Sequence, residues 1–213
     1  HFRDELRARG FTVDHRVAES YAEALREHLA DVGPTEVVVP APAEWGVARS
    51  LEALAAAEPR VRIVEDRRLL TSRAEFAEWA RGRKLLRMED FYRRQRRRLG
   101  VLVDGNGDPV VGEWNLDRAN RQTAKALRKR GVPPAPVSFA PDAVTREVIA
   151  EVDALPHQWG STAGFDLPVS RAEALVALDD FLAHRFADFG PYEDAMLRGE
   201  AYLYHSRLSA AMN

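Results

Sequence analysis

The stretch that decides the fold is Glu36-Val37-Val38-Val39-Pro40-Ala41-Pro42-Ala43-Glu44-Trp45-Gly46-Val47. A run of β-branched residues following Gly33-Pro34 reads as a buried strand, and the prolines after it stop the strand. Apolar residues at helical spacing then run from Trp45 to Ala57, and Val61-Arg62-Ile63-Val64 after Pro59 reads as the next strand. Strand, helix and strand in that order predict a parallel sheet with a crossover helix.

Working outward, Tyr21 to Ala30 has helical spacing, and Phe11-Thr12-Val13 after Gly10 reads as a further short strand. The helix from Glu44 to Ala57 starts at the carboxyl end of a strand, where open α/β folds bind ligands. Pro42 to Val47 is therefore a pocket candidate, with a plain connecting loop as the alternative.

Thr71-Ser72 with Glu75 predicts a capping box, and Phe76, Trp79 and Ala80 supply the apolar stripe behind it. A further helix is expected from Arg87 through Leu99, stopped by Gly100. It carries Arg93-Arg94-Gln95-Arg96-Arg97-Arg98, the most cationic segment of the chain, which suits either a solvated helix face or phosphate contacts. Asp104-Gly105-Asn106-Gly107-Asp108 opens like a calcium loop. Pro109 stands where the sharp-turn glycine belongs and Asn115 where the closing glutamate belongs, so a turn is expected instead.

Lys125 to Gly131 is a second basic run, and Pro133-Pro134-Ala135-Pro136 with Pro141 is a stiff extended connector. Beyond it, Thr145 to Leu155 is helical, Gly160 to Pro168 is a loop, and Ser170 with Glu173 caps a helix running through Phe186. The expected organisation is α/β followed by all-α: residues 1–83 as an α/β domain, 84–142 as helices, turn and proline-rich connector, and 143–213 as the beginning of a helical domain. His1-Phe2-Arg3 reads as the tail of a helix already under way and Ala211-Met212-Asn213 as lying inside a helical pattern, so both ends are expected to be cut.

With 213 residues, 46% hydrophobic and 30% charged, the chain can bury a core. A net charge of −2 restricts any nucleic-acid contact to local patches. The absence of cysteine excludes disulfides, thiolate catalysis and cysteine-bound metal within these residues. Apolar runs stop far short of the about 20 residues a membrane helix needs. Phosphate-loop, zinc-helix and nucleophile-elbow motifs are absent, and the six histidines show no metal-ligand spacing.

The remaining chemistry lies in Phe189-Gly190-Pro191-Tyr192-Glu193-Asp194-Ala195-Met196 and Tyr202-Leu203-Tyr204-His205-Ser206-Arg207-Leu208-Ser209. Hydroxyls at Ser206 and Ser209 beside Arg207, at the expected opening of a helix, offer neutral donors, a cation and free backbone amides. That set suits a pyrophosphate, although serine at a helix start commonly serves only as a cap.

His205-Ser206-Arg207-Leu208-Ser209 resembles the Thr-Ser-Arg-Leu-Ser segment by which photolyases and cryptochromes hold the FAD diphosphate, with His205 in place of the threonine and Tyr192 as the upstream tyrosine. Residues 84–92 (Lys-Leu-Leu-Arg-Met-Glu-Asp-Phe-Tyr), Gly112 to Arg121 and Phe189 to Met196 are similar, in the same order, to the bacterial photolyase-related family that carries an iron–sulfur cluster. The departures are Glu193, where glutamine is expected, and Glu113 in place of the second glycine before Trp114.

The resemblance implies a Rossmann-like antenna domain lacking its first strand, a long connector and the start of a helical FAD-binding domain. It implies a light-driven flavoprotein, a DNA-repair lyase acting on pyrimidine photoproducts, chiefly of the (6-4) type, by electron transfer from reduced FAD. A cryptochrome-type photoreceptor without repair is implied as the alternative. FAD would contact Tyr192, His205, Ser206, Arg207, Leu208 and Ser209. A lumazine antenna, a 4Fe-4S cluster held by cysteines outside this chain, and catalytic residues beyond Asn213 would complete the protein. Damaged DNA is the implied partner of a monomeric, cytoplasmic protein, with Arg93, Arg94, Arg97, Lys125 and Arg128 as candidate strand contacts. These residues alone are expected to be inactive. Outside the family, a nucleotide-binding α/β enzyme with Pro42 to Val47 as its site, or a helical interaction module, fits the residues too.

Overall fold

In a computed structural model, which describes residues 1–157 and 159–212, the chain is mixed α/β. Among the described residues it has nine α-helices and one two-stranded parallel sheet. The fold divides into two compact units, Leu6–Gly107 in one, and Asp108–Asn213 with His1–Glu5 in the other.

In the first unit, α2 (Tyr21–Val32) starts at Ser20, whose hydroxyl accepts from Glu23 N, and ends where Gly33 turns left-handed at φ 60°. The strands β1 (Val37–Pro40) and β2 (Val61–Val64) pair in parallel, with Val37 opposite Val61 and Pro40 opposite Val64. The crossover α3 (Trp45–Ala57) buries Ala48, Leu51 and Leu54, and packs against β2 and α2. The strand–helix–strand reading of residues 36–64 therefore holds.

The strand expected at Phe11-Thr12-Val13 does not form. Gly10 at φ 86° ends α1 (Phe2–Ala8), with the amides of Gly10 and Phe11 bonding back to the carbonyls of Arg7 and Leu6. Arg7 then takes the Val13 carbonyl at 3.2 Å. Phe11 N and Val13 O, two of the groups a strand would offer a neighbour, are thus engaged by α1 instead.

The capping box of α4 (Arg73–Ala80) forms as expected between Ser72 and Glu75. Phe76 and Trp79 of α4 meet Phe91 of α5 (Met88–Leu99), with ring centroids 4.8 to 5.6 Å apart. Residues 104–107 form the expected turn, closed by Gly107 N to Asp104 O at 3.0 Å.

In the second unit, α6 (Ala124–Arg130) is capped by Thr123, so the second basic run is helical. Asp142 accepts from Thr145 N and starts α7 at Ala143, earlier than Thr145. The helix α8 (Arg171–His184) begins at the Ser170–Glu173 capping box but stops short of Phe186. At Arg185 the backbone leaves the helical region (φ −131°, ψ −29°), and α9 (Phe186–Tyr192) follows. The core of this unit is Leu127, fully buried, with Ala195, Leu203 and Tyr204; Tyr192 and Leu197 pack on it.

Candidate functional site

The second unit brings together motifs that lie far apart in sequence. Gln122 N donates to Pro191 O at 3.1 Å, and a Cβ at Gly190 would stand 3.2 Å from Asn120 Oδ1. The end of the 112–121 block is thus seated on the Phe189–Met196 block. Tyr192 stacks on Tyr204, with centroids 5.3 Å apart and planes at 28°, and Tyr204 donates its hydroxyl to Gly131 O at 3.2 Å. Burial pushes the Tyr204 phenol up, so it stays protonated and keeps donating. Arg130 meets Asp188 at 2.6 Å, tying α6 to α9. The upstream tyrosine and the start of the serine segment therefore share one core.

The helix opening expected at Ser206–Ser209 is absent. The chain there is irregular and reaches only a single 3-10 turn at Ser209–Ala211. The amides of Ala211 and Met212 bond to Leu208 O and Ser209 O, and the Ser206 hydroxyl accepts from Leu208 N at 3.4 Å. Ser206 thus folds over one residue instead of capping a helix. Arg207 sits at φ 55°, a left-handed conformation uncommon for a residue other than glycine. Its Nη2 donates to Asp166 Oδ1 at 2.7 Å, and its guanidinium lies 4.7 Å from the Tyr202 ring centroid. His205 and Ser209 are exposed, while Ser206 and Leu208 are half-buried.

Beside this segment Arg185, only 2% exposed, donates to Asp180 Oδ2 at 2.6 Å and to Pro134 O at 2.8 Å. Burial would raise the Asp180 carboxyl. The hydrogen bonds from Arg185 and Val137 N outweigh it and hold the group below the ordinary carboxylate range. A void of ≈20 Å³, room for about one water, is lined by Asp166, Asp180, Arg185, Ser206 and Arg207. Asp166, Asp180 and Arg185 escaped sequence reasoning, because a carboxylate in a loop or on a helix face carries no mark of its partner.

The cationic segment of α5 is largely committed to its own unit. Arg93 pairs with Glu89, and buried Arg96 donates to the carbonyls of Val101 and Leu102 just past the helix end. Arg97 takes Gly107 O at 3.0 Å, and Arg98 reaches Glu75 and Leu70 O. Arg94 is half-buried, with Nη1 unpartnered among the described residues. Lys125 and Arg128 on α6 are exposed in the other unit.

At the carboxyl end of the strands a cleft of ≈350 Å³ is lined by Ala41, Pro42 and Ala43 from the β1–α3 loop, by residues 63–66, by Leu69 and by residues 71–74. The α3 N-terminus carries its own anion: the Glu44 carboxylate accepts from Gly46 N at 2.7 Å and Val47 N at 3.1 Å. An incoming phosphate would have to displace Glu44 to reach those amides. Asp66, in the same cleft, is held down at about 2 by its hydrogen bonds from Arg68.

The family profile described as "Deoxyribodipyrimidine photo-lyase-related protein" matches residues 1–167, and the chain belongs to that family. The (6-4) photolyase of Agrobacterium fabrum (strain C58 / ATCC 33970) is 40% identical over 221 aligned positions, which take in 100% of this chain and 43% of that protein. The chain thus spans less than half the length of the curated relative it matches. The family match ends before Tyr192; the alignment to the relative includes it and residues 205–209.

Among the described residues no helix is long and apolar enough to cross a membrane, and no group of three or more His, Asp or Glu side chains could hold a metal.

Proposed function

We propose that this chain forms part of a light-driven flavoprotein that repairs pyrimidine photoproducts of the (6-4) type in DNA, by electron transfer from reduced FAD. The observation that carries the reading is the 40% identity, along the whole chain, to a protein named (6-4) photolyase. Residues 205–209 and Tyr192 supply the diphosphate end of the FAD site. Two hydroxyls and irregular backbone suit a phosphate edge. A void of ≈20 Å³ is too small for a flavin ring. The remainder of the pocket is read as lying outside this chain. FAD, when bound, supplies the electron; the residues here hold and orient its diphosphate.

The strand–helix–strand unit is read as part of a Rossmann-like antenna domain, residues 1–83, with the ≈350 Å³ cleft at its strand ends large enough for a lumazine. Residues 84–142 are the interdomain segment and 143–213 the beginning of the FAD domain. The 4Fe-4S ligands lie outside a chain without cysteine. Lys125 and Arg128, exposed on α6, are read as contacts to the strand from which the lesion is flipped. Arg93 and Arg97 of the other unit would serve such a contact only by exchanging Glu89 and Gly107 O for phosphates, and half-buried Arg94 only through what it exposes. The protein is read as a cytoplasmic monomer.

The test is light-dependent repair of DNA carrying a defined (6-4) photoproduct by the full-length gene product. Repair that needs both light and FAD supports the proposal. A flavoprotein that absorbs blue light and leaves the lesion intact would mark a cryptochrome-type photoreceptor. A colourless protein that binds ATP would mark a nucleotide-dependent α/β enzyme.

A further inference from the structure

Arg207 is the cation of the proposed diphosphate segment, yet its guanidinium is spent inside the unit. It bonds Asp166 at 2.7 Å and lies over Tyr202, and the side chains of Arg207 and Asp166 are only 24% and 27% exposed. Asp166 is itself anchored, because its carbonyl accepts from Phe139 N at 3.1 Å. The void on the Arg207 side is lined by Asp166 and Asp180 together with Arg185 and Arg207, and each guanidinium there is already matched by a carboxylate, at 2.6 Å for Arg185–Asp180 and 2.7 Å for Arg207–Asp166.

Arg207 holds a left-handed φ of 55°, and the Ser206 hydroxyl closes over it onto Leu208 N. A non-glycine residue keeps such a conformation only where its surroundings over-determine it. Here the fixing groups are Asp166 and Tyr202.

We infer that Arg207 is a positioning residue: docked on Asp166 and Tyr202, it sets the turn that presents Ser206 and Ser209, and it does not itself bind the diphosphate. This rests on the FAD reading proposed above. The ligand then meets neutral hydroxyls and backbone amides, with the charge of Arg207 satisfied behind them.

A double-mutant cycle in the full-length gene product tests this, with FAD and riboflavin affinities measured by flavin fluorescence and apoprotein melting followed in parallel. Arg207→Gln and Asp166→Asn are each expected to weaken FAD about tenfold, and together no more than either alone. The exchange Asp166→Arg with Arg207→Asp is expected to recover affinity to within about threefold; if it does not fold, the Gln and Asn variants decide alone. Riboflavin, which lacks the diphosphate, should be little affected by any of them. Asp166→Asn that leaves FAD binding unchanged or tighter while Arg207→Gln weakens it would make Arg207 a phosphate ligand, overturning the inference and keeping the FAD reading. If Arg207→Gln, Asp166→Asn and the pair Ser206→Ala with Ser209→Ala all leave FAD affinity unchanged, the segment is not the flavin site and both readings fall.

Discussion

Asp180 and Arg185, at the end of α8, close a 2.6 Å ion pair around a guanidinium that is almost wholly buried. Each partner also holds the proline-rich connector: Arg185 through Pro134 O, and Asp180 through Val137 N. Removing one partner of a buried pair strands the other's charge. Asp180→Ala is therefore expected to destabilise the second unit by about 3 kcal/mol. Urea denaturation with a probe in that unit measures it, and a loss indistinguishable from a surface substitution would show the pair to be dispensable.

Acid should act through the same carboxylate. Asp180 is held below its ordinary range in the folded state, so its contribution is complete above the unfolded value near pH 4 and is lost as pH falls through the lower, folded value. The urea midpoint of the second unit should drop as pH falls below about 4, and Asp180→Asn should flatten that part of the curve. An identical acid limb in wild type and variant would assign the loss to other groups.

Leu127 is fully buried where α6 meets Ala195, Leu203 and Tyr204. Leu127→Ala should cost about 2–5 kcal/mol and loosen the Tyr192–Tyr204 stack. Thermal melting checks the first effect, and the near-ultraviolet circular dichroism of the tyrosines checks the second.

At the other unit's cleft, Glu44→Ala removes the side-chain cap from α3 and should cost about 1 kcal/mol. It also bares the Gly46 and Val47 amides. Phosphate or ATP protection of the variant against thermal unfolding, absent in wild type, is the expected signature of a helix end that normally holds its own anion.

Lys125→Glu with Arg128→Glu, both on the exposed face of α6, should lower affinity for lesion-bearing DNA and reduce the salt slope by about 2 while leaving stability within about 0.5 kcal/mol. Filter binding across a salt series decides it; an unchanged slope would remove these residues from the DNA face.

The sequence was most legible where local chemistry is strong. The run Val37–Val39, the capping boxes at Ser72 and Ser170 and the stop at Gly100 each act within a few residues, and each appears as read. Phe11–Val13 misled because β-branched residues indicate a strand only if a neighbour accepts them, and here Phe11 N and Val13 O are engaged by α1. The break at Arg185 was hidden because no proline or glycine marks it; what stands there is a buried arginine paired with Asp180. In the candidate site, Tyr192 and the serine segment were legible as motifs. The pairing of Arg207 with Asp166, 41 residues earlier, was not, since nothing local records it.

The full-length gene product, purified in the dark and then heat-denatured, should release stoichiometric FAD identifiable by chromatography and fluorescence. A colourless preparation that is folded, active in another reaction and free of FAD would contradict the account.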